Sequence, residues 1–83
     1  MRLDDYLSTV GVVKRRTVAK ELGTNGLLQI NGQTAKAAAP VRVGDIIHIK
    51  GSRAVTVEVL DVPTGSVSKD RRGDYFKIIA ATA

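Results

Sequence analysis

The sequence predicts an α+β fold in which a helical hairpin packs on a small antiparallel β-sheet. Three observations predict it. Apolar side chains recur at helical spacing up to Leu22, the period changes to two after Asn25–Gly26, and Asn-Gly or Gly-Asp pairs separate the extended segments that follow. With 83 residues, the chain is expected to form one domain over 1–83. Residues 2–50 would form its core motif and residues 54–83 its C-terminal strands.

The first helix is expected over Arg2–Val10, because Leu3, Leu7 and Val10 fall on one face. Asp4 and Asp5 sit in its first turn, where they suit the positive end of the helix dipole. Gly11 breaks it. A second helix is expected over Lys14–Leu22, with Val18, Ala19 and Leu22 together and Gly23 as its stop. Arg16 and Lys20 lie one turn apart on another face. Leu28 and Ile30 then alternate with Leu27 and Gln29. Asn31–Gly32 turns the chain, since a two-residue hairpin of this kind needs positive φ at both central residues. Gln33–Lys36 is the return strand and Ala37–Pro40 a connector. Val41 and Val43 lead to a Gly44–Asp45 turn, followed by a strand over Ile46–Lys50 and another turn at Gly51–Ser52. Val55, Val57 and Val59 alternate with polar residues, as in a half-buried strand. Pro63–Gly73 has almost no apolar residue except Val67 and is expected to be a mobile loop. Tyr75–Ile79 closes the sheet.

Composition narrows the function classes. Hydrophobic residues make up 43 % and charged residues 25 %, proportions of a folded domain rather than a disordered chain. With no cysteine, disulfides, thiolate metal sites and cysteine nucleophiles are excluded. His48 is the single histidine, placed mid-strand between isoleucines, so no metal site is expected. No catalytic residue, cofactor or Gly-rich phosphate loop stands out. No apolar run approaches the ~18 residues of a membrane span, and no signal-peptide pattern is present. A cytoplasmic protein with no membrane association is expected.

Charge supplies the positive clue. Thirteen Lys and Arg face eight Asp and Glu, a net charge of +5. The whole excess lies in the first 53 residues, where nine basic residues meet four acidic ones. Such a surface favours polyanions, nucleic acid first and anionic membranes second. Lys14-Arg15-Arg16 at a helix start opposes the helix dipole, so local stability does not explain it. Only Glu21 is an acidic neighbour within that helix. A solvated charged face is the plain alternative. If the hairpin packs beside the second helix, Arg2 and Lys36 join the same face and make a phosphate-binding cluster. Tyr6, Tyr75 and Phe76 are the only aromatics, two of them core-facing, too few for a base-stacking platform. Backbone and shape recognition of structured RNA is therefore expected. A helix-turn-helix DNA regulator fits less well, because its recognition helix should offer base-reading side chains rather than a run of cations.

These residues resemble a known family. Lys14-Arg15-Arg16-Thr17-Val18-Ala19-Lys20-Glu21-Leu22, Gly26, Ile30-Asn31-Gly32 and Val43-Gly44-Asp45 are similar to the S-four (S4) RNA-binding domain, whose fold is also described as the αL motif. Met1-Arg2-Leu3-Asp4 and Ala35-Lys36-Ala37 resemble its short stand-alone members, those of ribosome quality control and the ribosome-associated heat-shock type. The resemblance implies a non-catalytic RNA-binding protein that acts on the large ribosomal subunit. It would bind rRNA and tRNA in the rescue or quality control of stalled ribosomes that carry peptidyl-tRNA, and would act as a monomer. The implied RNA-binding residues are Arg2, Lys14, Arg15, Arg16, Thr17, Lys20, Asn31 and Lys36. Leu27 and Gln29 stand where the family often has basic residues, which makes the hairpin's outer face less cationic. The other readings are an RNA-binding adaptor for an rRNA- or tRNA-modifying enzyme and a small DNA-binding regulator.

Overall fold

Leu3, Tyr6, Leu7 and Val10 are fully buried, and this single face of the first helix organises the molecule. A computed structural model describes residues 1–51, 54–65 and 67–81. Helix α1 spans Leu3–Thr9 and helix α2 spans Arg16–Thr24. Five strands follow: β1 Leu28–Ile30, β2 Gln33–Thr34, β3 Ile46–Ile49, β4 Val55–Val59 and β5 Phe76–Ala81. They form one antiparallel sheet in the order β2-β1-β3-β4-β5.

Alternation decides which side chains face the helices. Ile47 and Ile49 on β3 pair with Val57 and Val55 on β4, and Ile47, Ile49, Val57 and Val59 are buried with the α1 face. Leu28 and Val41 complete the core. His48 and Thr56 are cross-strand partners of the opposite parity, and their side chains hydrogen-bond to each other. This strand-to-strand contact accounts for His48. Tyr6 is enclosed by the core, and its hydroxyl donates to the Tyr75 carbonyl at 2.6 Å. Burial, with the nearby Asp61 charge, pushes the Tyr6 phenol well above its usual pKa.

Several boundaries differ from the sequence expectation, each for a local reason. Helix α2 begins at Arg16, with Arg15 as its extended N-cap, so Lys14 precedes the helix. It runs through Gly23 to Thr24. Its stop is Gly26, at φ 71°, where Gly26 N–H donates to the Gly23 carbonyl and Leu27 N–H to the Leu22 carbonyl. This is the Schellman pattern, with Leu27 and Leu22 as its apolar pair. Val18 is 42 % exposed rather than core; only Ala19 of α2 is fully buried. Strand β2 ends at Thr34 because the chain beyond turns to serve α1: the Ala37 and Ala39 carbonyls accept from Asp4 and Leu3 N–H. Strand β5 starts one residue late, since the Tyr75 carbonyl already accepts from Leu60 and Asp61 N–H, and it continues to Ala81.

The Asn31–Gly32 turn is as expected, with φ of 53° and 85°. The expected mobile loop at Pro63–Gly73 is corrected in part. Residues Lys69–Asp74 form a 3-10 turn held by backbone bonds from Arg71 N–H to Ser68 and from Tyr75 N–H to Arg72. Ser52, Arg53 and Ser66 of the expected turns and basic segment lie outside the described residues.

Candidate nucleic-acid interface

Asp4 is the centre of the basic region. Its carboxylate is fully buried, on the first turn of α1. Arg2 forks onto it, donating from Nε to Oδ1 and from Nη2 to Oδ2, each at 3.1 Å. Asp5 N–H donates to the same Oδ1 at 2.8 Å. Arg16, at the start of α2, reaches Asp4 Oδ2 through Nε at 3.5 Å and Asp5 Oδ1 at 3.1 Å. Burial alone would raise the Asp4 pKa. The Arg2 hydrogen bonds, the Asp5 N–H and the charges of Arg2 and Arg16 outweigh it and hold the carboxyl below its usual range.

The sequence therefore misleads on one point. Arg16 lacks an acidic partner on its own helix, but the two aspartates of α1 face it across the helical hairpin. The aspartates are more than helix-start charges, for they fix two arginines. Both arginine side chains remain about half exposed, at 45 % and 53 %. Arg16 spends its Nε on the aspartates, which leaves the terminal end of its guanidinium for an outside acceptor.

The connector after Lys36 packs against both helices. A Cβ on Gly23 would stand 2.7 Å from the Ala37 nitrogen, so only glycine lets α2 lie this close to the chain after Lys36. Ala37 in turn bonds Asp4 through its carbonyl at 3.0 Å. Arg2 and Arg16 thus converge on Asp4, while Lys36 lines a neighbouring open cleft with Ile30, Asn31, Gln33 and Pro40. Lys20 follows Arg16 by one turn and shares a shallow cleft with Thr17, Glu21, Thr24 and Asn25. Lys14 and Arg15 are exposed at the α2 entrance.

Asn31 has a different place. Its side-chain amide donates to Asp45 Oδ1 at 3.2 Å and its Oδ1 accepts from Ile46 N–H at 3.0 Å. Asp45 in turn accepts from Arg42 N–H at 2.9 Å. The Asn-Gly and Gly-Asp turns are thereby clasped together, and both ends of the Asn31 amide serve the fold. Sequence spacing alone could not reveal this pairing across fifteen positions.

None of the three aromatics is exposed: Tyr6 is buried, and Tyr75 and Phe76 are half-buried. A surface of guanidinium and ammonium groups can hold phosphate oxygens but, without exposed aromatic faces, offers no aromatic stacking platform for bases. Among the described residues no group of acidic or histidine side chains could hold a metal ion, and no helix is long and apolar enough to cross a membrane.

Comparison with known proteins identifies the family. The S4 domain model matches residues 1–47. The "RQC P-site tRNA stabilizing factor" of Streptococcus pneumoniae is 39 % identical over 83 residues, spanning 99 % of this chain and 93 % of that protein. The factors of the same name from Bacillus subtilis and Listeria monocytogenes are 36 % and 45 % identical over 80 residues; each alignment spans 95 % of this chain, and 92 % and 86 % of those proteins. Among solved structures, Vibrio cholerae heat shock protein 15 superposes with a TM-score of 0.84 at 23 % identity, over 96 % of this chain and 82 % of that one, a likeness of fold. The hypothetical protein HP1423, solved in solution, gives 0.82 at 30 % identity, over 96 % and 98 %. The family match and these relatives show that this chain belongs to the S4 domain family.

Proposed function

We propose that this chain is a non-catalytic RNA-binding protein that holds rRNA and tRNA on the large ribosomal subunit, in the rescue or quality control of stalled ribosomes carrying peptidyl-tRNA. The observation that carries this is the junction at Asp4, where one buried carboxylate fixes two half-exposed guanidinium groups. Pre-ordered arginines lose less rotamer freedom on meeting phosphate, so more of each contact appears as affinity. The names of its relatives, factors that stabilise P-site tRNA, support the same reading.

The RNA-binding residues are Arg2, Lys14, Arg15, Arg16, Thr17, Lys20 and Lys36, with Asn31 acting by fixing the adjacent hairpin. The chain acts as a single domain and a monomer in the cytoplasm. Sucrose-gradient sedimentation of the tagged protein tests the proposal. It is expected with large subunits that carry peptidyl-tRNA, and its appearance only in the ribosome-free fractions would refute it.

A further inference from the structure

Arg72 is a cation that the Asp4 junction does not use. It lies in the 3-10 turn Lys69–Asp74, in the segment whose basic residues the sequence suggests are neutralised by Asp70 and Asp74. The structure separates the two arginines there. Arg71 pairs with Asp74 at 3.6 Å, an exposed contact three residues apart. Arg72 has no acidic partner among the described residues. Instead its side chain lies over Gly11, directly after α1. A Cβ at Gly11 would stand 2.7 Å from Arg72 Cδ and 3.1 Å from both Nε and Nη1. Gly11 also has φ of 85°, so glycine suits this position twice over.

The Nε of Arg72 is buried and makes no hydrogen bond. That N–H is shielded from any incoming group, whereas the residue as a whole is part-exposed, so an outside anion would be met by the terminal amino groups of the guanidinium. Position gives the reason to expect one. Gly11 opens the α1–α2 connection, and the same connection carries Lys14 and Arg15 into α2. Arg72 thus lies against the connection that leads to the exposed Lys14 and Arg15, although it comes from the far end of the sequence.

We propose that Arg72, seated on Gly11, is a further phosphate-binding residue that extends the RNA face from α2 along the α1–α2 connection to the C-terminal 3-10 turn. The proposal rests on the RNA-binding reading above. It assigns Arg72 alone, not Arg71, to the interface.

The test is a titration of purified large ribosomal subunits into fluorescently labelled full-length protein at several salt concentrations. Arg72→Gln keeps a stem to cover Gly11 while removing the charge, and Arg72→Lys keeps the charge. Arg71→Gln and Arg16→Ala are run beside them, with circular dichroism to confirm folding. We expect Arg72→Gln to weaken binding by about tenfold, as loss of a charge-assisted contact does. The slope of log affinity against log salt should become shallower by about one, with Arg72→Lys recovering it. Arg71→Gln should leave the slope unchanged. If Arg16→Ala weakens binding while folded Arg72→Gln binds with the wild-type slope, Arg72 is a packing residue and the proposal is overturned. Absence of binding by the wild-type protein would overturn the RNA-binding reading and this proposal with it.

Discussion

Arg16 on α2 and Asp4 on α1 stand 3.5 Å apart, and this contact couples the helical hairpin to the basic face. Asp4 is fully buried, whereas the Arg16 side chain is 53 % exposed. The pair is therefore asymmetric: the aspartate needs its arginines more than Arg16 needs the aspartate.

Arg16→Ala is expected to weaken ribosome binding with a small effect on stability. Arg2 still forks onto Asp4 in this variant, so the buried carboxylate keeps a partner. The Arg16–Asp5 pair is part-exposed on both sides, and exposed pairs contribute about 0–1 kcal/mol, whereas a charge-assisted phosphate contact can contribute about 1.5–3 kcal/mol. Thermal melting beside a binding titration checks this. A variant that unfolds, while its folded fraction binds normally, would make Arg16 a structural residue.

Asp4→Asn is expected to cost about 1.5–3 kcal/mol, the scale of hydrogen bonds to charged groups. Its cost should also depend on pH. The folded pKa of Asp4 lies below the unfolded value, so its contribution is fully present above that value and is lost as pH falls through the folded pKa. Urea midpoints of wild type and Asp4→Asn should differ most near neutral pH, begin to draw together below about pH 4, near the unfolded carboxylate value, and converge only below the lower folded pKa. A difference that stays constant down to acid pH would rule out the charged form as the stabilising one.

Asn31→Ala is expected to act on the fold. It removes the bonds to Asp45 and Ile46 N–H and places alanine at a φ of 53°. Left-handed backbone at a non-glycine residue costs about 1–2 kcal/mol, and the lost bonds add to that. Binding by the folded protein should stay close to wild type. A large loss of affinity without loss of stability would place Asn31 in direct contact with RNA.

Salt should weaken the complex steeply. With about four phosphate contacts, log affinity should fall against log salt with a slope of roughly −3 to −4. A flat titration of structured rRNA fragments would exclude the basic face as the main source of affinity.

Much of this was legible in the sequence, because local chemistry dictates it. The periodicity of Leu3, Leu7 and Val10, the Asn31–Gly32 turn and the alternation of Val55, Val57 and Val59 all specify their elements without tertiary help. A cluster of Arg2 and Lys36 with the cations of α2 was expected on the condition that the hairpin packs beside α2, and the structure joins Arg2 and Arg16 through Asp4. What sequence could not supply is pairing across the chain. Asp4 with Arg16, Asn31 with Asp45, Tyr6 with Tyr75 and Arg72 with Gly11 all join residues far apart in sequence. Gly23 shows the same limit: as a sequence signal it ends a helix, yet in the structure it is the point of contact between α2 and Ala37.

The most direct measurement is co-sedimentation of the folded triple variant Arg15→Ala, Arg16→Ala, Lys20→Ala with large ribosomal subunits, beside wild type. The account predicts that the variant, with a wild-type circular dichroism spectrum, is lost from the large-subunit fractions. A folded variant that still travels with the large subunit as wild type does would contradict it.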